Sequence, residues 1–403
     1  MEKSGVSIAP GPAPLRAAEA SRAAIALACA IGFAFSTNYT NHAPLAGALA
    51  REFAFSQALA GLLTTGIFAT HAFMQVPGGY VVDRFGSRRV LMVALAWVAI
   101  GNFAIVLANA YWQLLFWKIF TGIGTGTSFV AGARYIHETV TGPRLHLAQG
   151  LYGGSILLGS GFVILAVPRI YVWAGWRAAF LITASVAAGA WLLWMLAATG
   201  AARAPHAAGS FRGLLLAPQL WLLGMMQMAS FGLAIVVGAW IVALLGNAFH
   251  MPPVKAGLVG SLVLLLGILT RPLGGAIRRI VHIRPLLAAS FVMNAAGCLL
   301  LASGWNSLAL ALAAVLLLGS GCGLPYAAVF TRAAALFPER AGAAMGFVNM
   351  LGILMILVGA PAVGRLADWT GSFRSGLVAL GAFSLIACAA VLLLSRNEPS
   401  TAL

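Results

Sequence analysis

The sequence is dominated by apolar runs of about 18 to 25 residues, which alternate with short polar connections. A helix needs about 20 apolar residues to cross the hydrocarbon core of a bilayer, and its backbone must satisfy its own hydrogen bonds there. The sequence therefore predicts an all-α integral membrane protein with about twelve transmembrane helices. The runs cover residues 23–49, 58–82, 90–108, 112–135, 147–167, 178–198, 220–245, 254–277, 285–302, 308–333, 342–367 and 376–394.

Composition excludes a soluble globule. Charged residues make up only 8% of the chain and hydrophobic residues 61%, whereas a soluble domain carries about 25% charged residues. The formal net charge is +16, but the basic residues lie in short connections and form no basic face, so we predict no nucleic-acid partner. The four cysteines lie far apart within apolar runs and lack metal-ligand spacing. We therefore predict neither a metal site nor a cofactor.

The chain contains an internal repeat at an offset of 196 residues. At this offset Arg88 meets Arg284 and Trp173 meets Trp369. Parallel repeats of six spans are typical of one transporter architecture, whose substrate site lies between the repeats. The predicted domains are a cytoplasmic tail at 1–22, a six-helix bundle at 23–198, a cytoplasmic linker at 199–214, a second six-helix bundle at 215–394 and a cytoplasmic tail at 395–403.

Lysine and arginine are unevenly distributed between alternate connections, and the richer side is expected to be cytoplasmic. An even number of spans then places both termini in the cytoplasm. We predict a multi-pass protein of the plasma (inner) membrane that acts as a monomer.

A glycine- and arginine-rich connection joins the second and third apolar runs. It reads Gly-Tyr-Val-Val-Asp-Arg-Phe-Gly-Ser-Arg-Arg at 79–89, and its second glycine permits a tight reversal. This pattern resembles the loop signature of the major facilitator superfamily, whose members consist of two six-helix bundles. The resemblance implies that the segment holds the cytoplasmic side shut in one state, although Arg279 takes the place of Asp83 in the second copy. The gating residues so implied are Gly79, Asp83, Arg84, Gly86, Arg88 and Arg89.

The depth of charged residues in the spans bears on the substrate. The eight Asp and Glu residues all lie in tails, in loops or near span ends. Arg271 precedes Arg278, at the cytoplasmic end of its span, by seven residues, or about 10 Å along a helix. A guanidinium at that depth is costly and usually faces a cavity or a partner. With no acid at that depth, the predicted partner is an anionic substrate. The alternative is that Arg271 snorkels to the inner surface or binds backbone carbonyls.

The segment Arg-Pro-Leu-Gly-Gly at 271–275 resembles the eighth-helix arginine segment of anion carriers in the superfamily. These carriers are nitrate/nitrite porters, oxalate:formate exchangers and monocarboxylate carriers, and the resemblance implies that Arg271 binds substrate. In the nitrate/nitrite porters a second arginine occupies the equivalent point of the second helix, where this chain has Gln75. The two-arginine clamp of those porters is therefore incomplete here.

Polar side chains in other spans are further candidates. Lys118 is expected either to contact the anion or to snorkel to the outer headgroups. His71 is expected either to serve substrate or proton transfer or to be a hydrogen-bonded core histidine. The polar run at 36–42 is expected to line a water-filled path or to form bonds between helices. The predicted substrate-binding residues are Arg271, Lys118, His71, Asn38, Asn41, Tyr326, Asn349 and Gln75.

Two further patterns bear on packing and gating. Near the cytoplasmic span ends, Arg134, Glu138 and Arg332 are predicted to form ion pairs or gate contacts, with substrate contact by Arg134 or Arg332 as the alternative. The glycine run at 122–126 superficially resembles a nucleotide-binding loop, but no strand precedes it. We expect it to pack helices closely.

The leading hypothesis is a secondary transporter that carries a small organic or inorganic anion by alternating access. Its predicted partners are the anionic solute, the lipid bilayer, and either protons or a counter-transported anion. Two alternatives remain open: a multidrug or other solute exporter of the same superfamily, and a non-transporting sensor built on this scaffold. An enzyme is not predicted, because the spans contain no nucleophile–base set and no metal-ligand cluster.

Overall fold

The structure, a computed structural model, describes residues 14–140, 144–198, 212–278, 280–304, 307–337 and 341–395. Every regular element within these ranges is helical. The predicted tails and linker lie largely outside them. The α-helices are α1 (Pro14–Ser36), α2 (Ala46–Glu52), α3 (Gln57–Phe73), α4 (Gln75–Phe85), α5 (Ser87–Ile105), α6 (Tyr111–Thr139), α7 (Arg144–Ala197), α8 (Arg212–Leu215), α9 (Pro218–Gln227), α10 (Leu233–Phe249), α11 (Pro253–Leu265), α12 (Gly267–Ile277), α13 (Ile283–Ala302), α14 (Leu308–Gly323), α15 (Pro325–Leu336), α16 (Ala341–Thr370) and α17 (Arg374–Ala390).

The helices account for the predicted spans. In the described ranges, nine helices are long and apolar enough to cross a membrane. One of them, Ala148–Ala197, contains Gly175 at φ 79° and therefore holds two spans. The first span is α1, and the second is formed by α3 and α4 together. The prediction of about twelve spans is confirmed.

The first span differs from the prediction of an unbroken run over 23–49, because α1 ends at Ser36. Side chains there bind back to the preceding turn. Thr37 Oγ1 donates to the Ala34 carbonyl at 2.7 Å, and Asn38 Nδ2 donates to the same oxygen at 3.0 Å. Such local bonds compete with the helical ladder, so the chain leaves the helix where its polar run begins.

Prolines explain two breaks within other spans. Pro77 has no N–H for the Phe73 carbonyl, and the second span breaks between them at Met74. The tenth span breaks at Leu324, directly before Pro325. Non-helical backbone at membrane depth is tolerated where it is buried in protein or lines a cavity. Backbone at these breaks is therefore expected to face the protein or a cavity rather than lipid.

The glycine run of the fourth span packs against two neighbouring helices. A Cβ added at Gly122 would lie 2.3 Å from the Ile67 carbonyl oxygen of α3, and one at Gly124 would lie 2.8 Å from that of Ala94 in α5. Real Cβ atoms do not approach backbone so closely, so only glycine fits. The predicted close packing is confirmed.

The two halves meet at the end of the molecule that contains Gln57, called the Gln57 end below. Here α3 of the first half packs along α16 of the second. Thr65 Oγ1 donates to the Leu357 carbonyl at 2.8 Å, and a Cβ added at Gly61 would lie 2.6 Å from the Ala360 carbonyl oxygen. The same end joins α7 to α11. The Gln57 end is therefore closed.

At the opposite end, called the Gly86 end, the halves stand apart. The main contacts of α4 are with α3, α5 and α6, and those of α15 are with elements of its own half. Cβ atoms built at Gly79, Gly150 and Gly346 would meet nothing within 4 Å. The structure is thus open towards the Gly86 end and closed at the Gln57 end.

Candidate functional site

Arg271 lies over an aromatic ring at the seam between the halves. Its Cζ atom is 3.9 Å from the centroid of the Tyr326 ring, a cation–π distance. Two helix breaks bring them together, because Arg271 follows the break at Leu266 and Tyr326 follows the break at Leu324. The sequence predicted both residues for the site but could not predict that they stack.

The Arg271 guanidinium has no hydrogen-bond acceptor on the described part of the chain. Its Nε atom is buried without a partner. Neither alternative from the sequence fits: no carbonyl in the described ranges accepts from Arg271, and the side chain faces a narrow cavity rather than the surface. Leu157 of the first half lines this cavity opposite Arg271 and Cys322 of the second half. Arg271 is therefore a cation with free donors at the interface of the repeats.

The first half contributes an aromatic enclosure around His71. The imidazole centroid lies 5.1 Å from the Tyr39 ring and 5.8 Å from the Phe129 ring, and Nδ1 is 3.3 Å from Thr125 Oγ1. This is the arrangement of a hydrogen-bonded core histidine. Sequence reasoning missed Tyr39, whose hydroxyl is buried without a partner among the described residues. Its place in the polar run at 36–42 was the available signal.

Gln75, which stands where nitrate/nitrite porters are expected to have an arginine, lies one turn after His71. Its Nε2 atom donates to the His71 carbonyl at 3.4 Å, and the side chain is partly exposed. The structure therefore places Gln75 beside the aromatic enclosure.

Lys118 is enclosed within the first half and is only 1% exposed. Its Nζ atom donates to the Asn38 carbonyl at 3.1 Å and to Asn41 Oδ1, and it lies 5.3 Å from the centroid of the Phe180 ring. Asn41 Nδ2 donates in turn to Thr183 Oγ1 at 2.8 Å. The polar run thus forms bonds between helices, which was one of its two interpretations.

The structure therefore does not bring Lys118 to Arg271, nor does the ammonium reach the surface. The snorkelling interpretation of Lys118 is therefore wrong, while its contact with an anion stays a prediction. The physical reason is the orientation of the fourth span: it turns Lys118 towards the polar run of the first span, which offers two oxygen acceptors.

A substitution at Lys118 should test this structural assignment. We expect Lys118→Met to lower the melting temperature, because the Asn38 and Asn41 oxygens lose a charged donor, at a cost of about 1–3 kcal/mol for each buried group left unpaired. The measurement is thermal unfolding in detergent. If the anion transport predicted from the sequence is measured, its KM should stay near the wild-type value. A large rise in KM with unchanged stability would return Lys118 to the substrate site.

In the second half, an amide pair joins the seventh and eleventh spans. Gln227 Nε2 donates to Asn349 Oδ1 at 3.5 Å, and Gln227 Oε1 is buried without a partner in the described ranges. Asn349 was predicted from sequence, whereas Gln227 was missed. Gln227 directly precedes the π-helical turn Met228–Gly232, and such turns are frequent at functional sites.

The predicted gating segment makes the expected reversal. Gly86 has φ 83° and donates its N–H to the Val82 carbonyl at 2.7 Å. Arg84 lies over the Phe85 ring, while Arg88 and Arg89 are exposed. The Asp83 side chain lies outside the described part of the structure, so the role of Asp83 stays a prediction.

Arg134 and Glu138 form the predicted ion pair, with Nε 3.2 Å from Oε1. Ser87 Oγ donates to the other carboxylate oxygen at 2.6 Å, so the pair fastens the end of α6 to the start of α5. Arg332 is 6% exposed, and its Nη2 lies 3.4 Å from the Ser395 carbonyl oxygen in the second half. Each of these contacts at the Gly86 end lies within one half and does not join the two halves.

Comparison with known proteins agrees with this geometry. The chain is 24% identical over 357 residues to the probable nitrate/nitrite antiporter NarK1 of Thermus thermophilus, covering 80% of each chain. It is 25% identical over 324 residues to the nitrite extrusion protein of Bacillus subtilis, covering 78% of this chain and 79% of the relative. Both relatives are named as carriers of inorganic anions.

Among solved structures, the chain resembles a bacterial homolog of the human lysosomal transporter Spinster in an inward-facing and occupied conformation. The TM-score is 0.80 at 16% sequence identity, covering 96% of this chain and 98% of the other. This likeness confirms the fold of two six-helix bundles. A family model described as Major Facilitator Superfamily matches residues 28–360 and 220–403. The chain is therefore a member of the Major Facilitator Superfamily of membrane transporters.

Proposed function

We propose that this protein is a secondary transporter of a small organic or inorganic anion, with Arg271 as the substrate-binding cation. The observation that carries the proposal is the unpaired guanidinium at the seam. Arg271 stacks on Tyr326, its Nε atom has no acceptor in the described ranges, and both halves line the cavity that it faces.

Electrostatics supports an anion at this point. An ionised side chain inside a membrane protein is costly unless a partner offsets the lost hydration. The carboxylates that the structure describes in ion pairs or caps lie near the two ends: Glu52, Glu138 and Asp368. A substrate anion would supply the missing acceptor, and a planar guanidinium can donate two parallel hydrogen bonds to a carboxylate or oxyanion.

The named relatives narrow the class of substrate. Two of them carry nitrate or nitrite by name, which supports a small planar oxyanion or a carboxylate of similar shape. Gln75 replaces the second arginine that the porters' pattern implies, so this chain offers one guanidinium to the substrate. A singly charged anion suits one guanidinium best.

The state of the two ends, one closed and one open, supports alternating access. The distribution of arginine predicts that the Gly86 end and both termini are cytoplasmic, and on that prediction the structure would be open to the cytoplasm. The transporter would then bind its anion from this side or release it there. Coupling would be by exchange of one anion for another, or by protons through His71 or His42. The protein is proposed to act as a monomer in the plasma (inner) membrane.

A thermal-shift screen tests the substrate class. Purified protein in detergent is heated with nitrate, nitrite, cyanate, formate, lactate or oxalate. A ligand at 100 times its dissociation constant stabilises the folded form by about 2.7 kcal/mol. We expect a singly charged planar anion to raise the melting temperature most, with choline and glycerol as non-anionic controls. The rates at which these anions cross reconstituted vesicles should follow the same order as the shifts in melting temperature. Stabilisation by choline but by none of the anions would contradict the proposal.

A further inference from the structure

The amino terminus of α3 is capped from both halves of the protein. Its own residue Ser56 accepts the Leu59 N–H on Oγ at 3.3 Å and the Ala60 N–H on its carbonyl at 3.0 Å. The two remaining amides, of Gln57 and Ala58, donate to Asp368. The amides of Gln57, Ala58 and Leu59, which a helix leaves open at its start, are therefore satisfied, two of them by the other half.

Asp368 is well placed to make a strong contact. It lies near the end of α16, and each carboxylate oxygen accepts one backbone N–H at 2.8 Å. A carboxylate at a helix amino terminus gains from both the charge-assisted bonds and the helix dipole. The approach requires glycine, because a Cβ added at Gly364, one turn before Asp368, would lie 2.3 Å from the Gln57 carbonyl oxygen.

The repeat lacks a second copy of this contact. At the offset of 196 residues the position of Asp368 corresponds to Val172, which cannot accept a hydrogen bond through its side chain. The equivalent helix start, at Pro253 in α11, has no N–H to donate. Only one of the two pairs of spans that close the Gln57 end is therefore fastened by an acid in this way.

We propose that Asp368 is a positioning residue that latches the Gln57 end and so favours the state that is open at the Gly86 end. The inference rests on the alternating-access function proposed above. When the Gln57 end opens, α16 must leave α3, and the Gln57 and Ala58 amides lose their acceptors to water. Asp368 therefore stabilises one of the two transport states and not the other.

Hydrogen–deuterium exchange of the full-length protein in detergent, without any added anion, tests the latch. We expect Asp368→Asn to speed exchange at the start of α3 by at least about tenfold, because two charge-assisted bonds are weakened. Peptides at the other closing pair, α7 and α11, should also exchange faster. Peptides of α4 and α15 at the Gly86 end should exchange more slowly, since that end closes as the other opens.

Glu52→Gln is the matched control. Glu52 lies at the same end and carries the same charge, but its partners Trp176 and Arg177 belong to its own half. It should leave exchange at the Gly86 end unchanged. Asp368→Glu, which keeps the carboxylate, should recover part of the wild-type pattern.

Faster exchange at the Gln57 end together with slower exchange at the Gly86 end would support the latch. Faster exchange confined to the first residues of α3 would show a local helix cap and overturn the proposal, as would unchanged exchange at both ends. Because no anion is present, these outcomes are independent of the substrate. If the unmodified protein bound none of the anions but the variant still showed the opposite changes, the proposed anion substrate would be contradicted and the latch would stand.

Discussion

Replacing Arg271 with glutamine is expected to lower kcat/KM for anion uptake by at least about a hundredfold. The guanidinium would make two hydrogen bonds to the anion, and bonds to charged groups contribute about 1.5–3 kcal/mol each. A loss of about 3–6 kcal/mol corresponds to two to four powers of ten in affinity or rate. Uptake into reconstituted vesicles provides the measurement, and the thermal shift caused by the anion should disappear in the same variant.

Three further variants separate substrate binding from general loss of charge. Arg169→Gln removes an exposed arginine that donates only to the Leu165 carbonyl in the described ranges, so transport should stay near wild type. Arg271→Lys keeps the charge without the planar fork and should be intermediate. Tyr326→Phe keeps the ring beneath the guanidinium and should reduce uptake only slightly. Full transport by Arg271→Gln would refute the anion site.

Much of the fold could be predicted from the sequence, because bilayer thickness fixes the length of an apolar run and the repeat fixes the division into halves. Local chemistry also predicted particular features. Gly86 makes the expected reversal, and the glycine run at 122–126 packs helices as expected. These features depend on glycines at particular positions, and the sequence identifies those positions directly.

The site was less predictable, since it depends on how helices rotate against each other. Arg271 and Tyr326 are distant in sequence, and nothing in their spacing indicates that breaks at Leu266 and Leu324 turn them face to face. The depth of Lys118 in its span was predictable, but its direction was not. Acceptors in the polar run at 36–42 draw it inward, away from the seam.

Asp368 illustrates a second limit. As an acid near a span end it resembled an ordinary interfacial residue in the sequence. Its partners are backbone amides of the other half, more than 300 residues earlier, and a backbone amide carries no sequence signal. Contacts between halves join segments that are far apart in the sequence, so local patterns do not reveal them.

Replacing Gly61 with valine is expected to slow transport strongly, because it disfavours closure of the Gln57 end. A Cβ at this position would lie 2.6 Å from both the Ala360 carbonyl oxygen and Pro361 Cα. Both atoms are backbone of the other half, so the clash is relieved only if α16 moves away from α3. Overpacking of this kind costs about 1–3 kcal/mol or more, enough to disfavour closure by roughly 5- to 150-fold. A transporter that closes one end less often completes fewer cycles.

The valine should act on closure rather than on folding, because the obstructed contact lies between the halves and α3 keeps its packing within the first half. Gly61→Val should therefore be purified as a folded protein whose melting temperature still rises with the anion, while uptake into vesicles falls strongly. Gly189→Val is the matched control, since a Cβ at Gly189 meets nothing within 4 Å, and it should transport normally. Wild-type uptake by Gly61→Val would show that the close approach of α3 and α16 is not needed for the transport cycle, and would contradict closure of the Gln57 end as one of its steps.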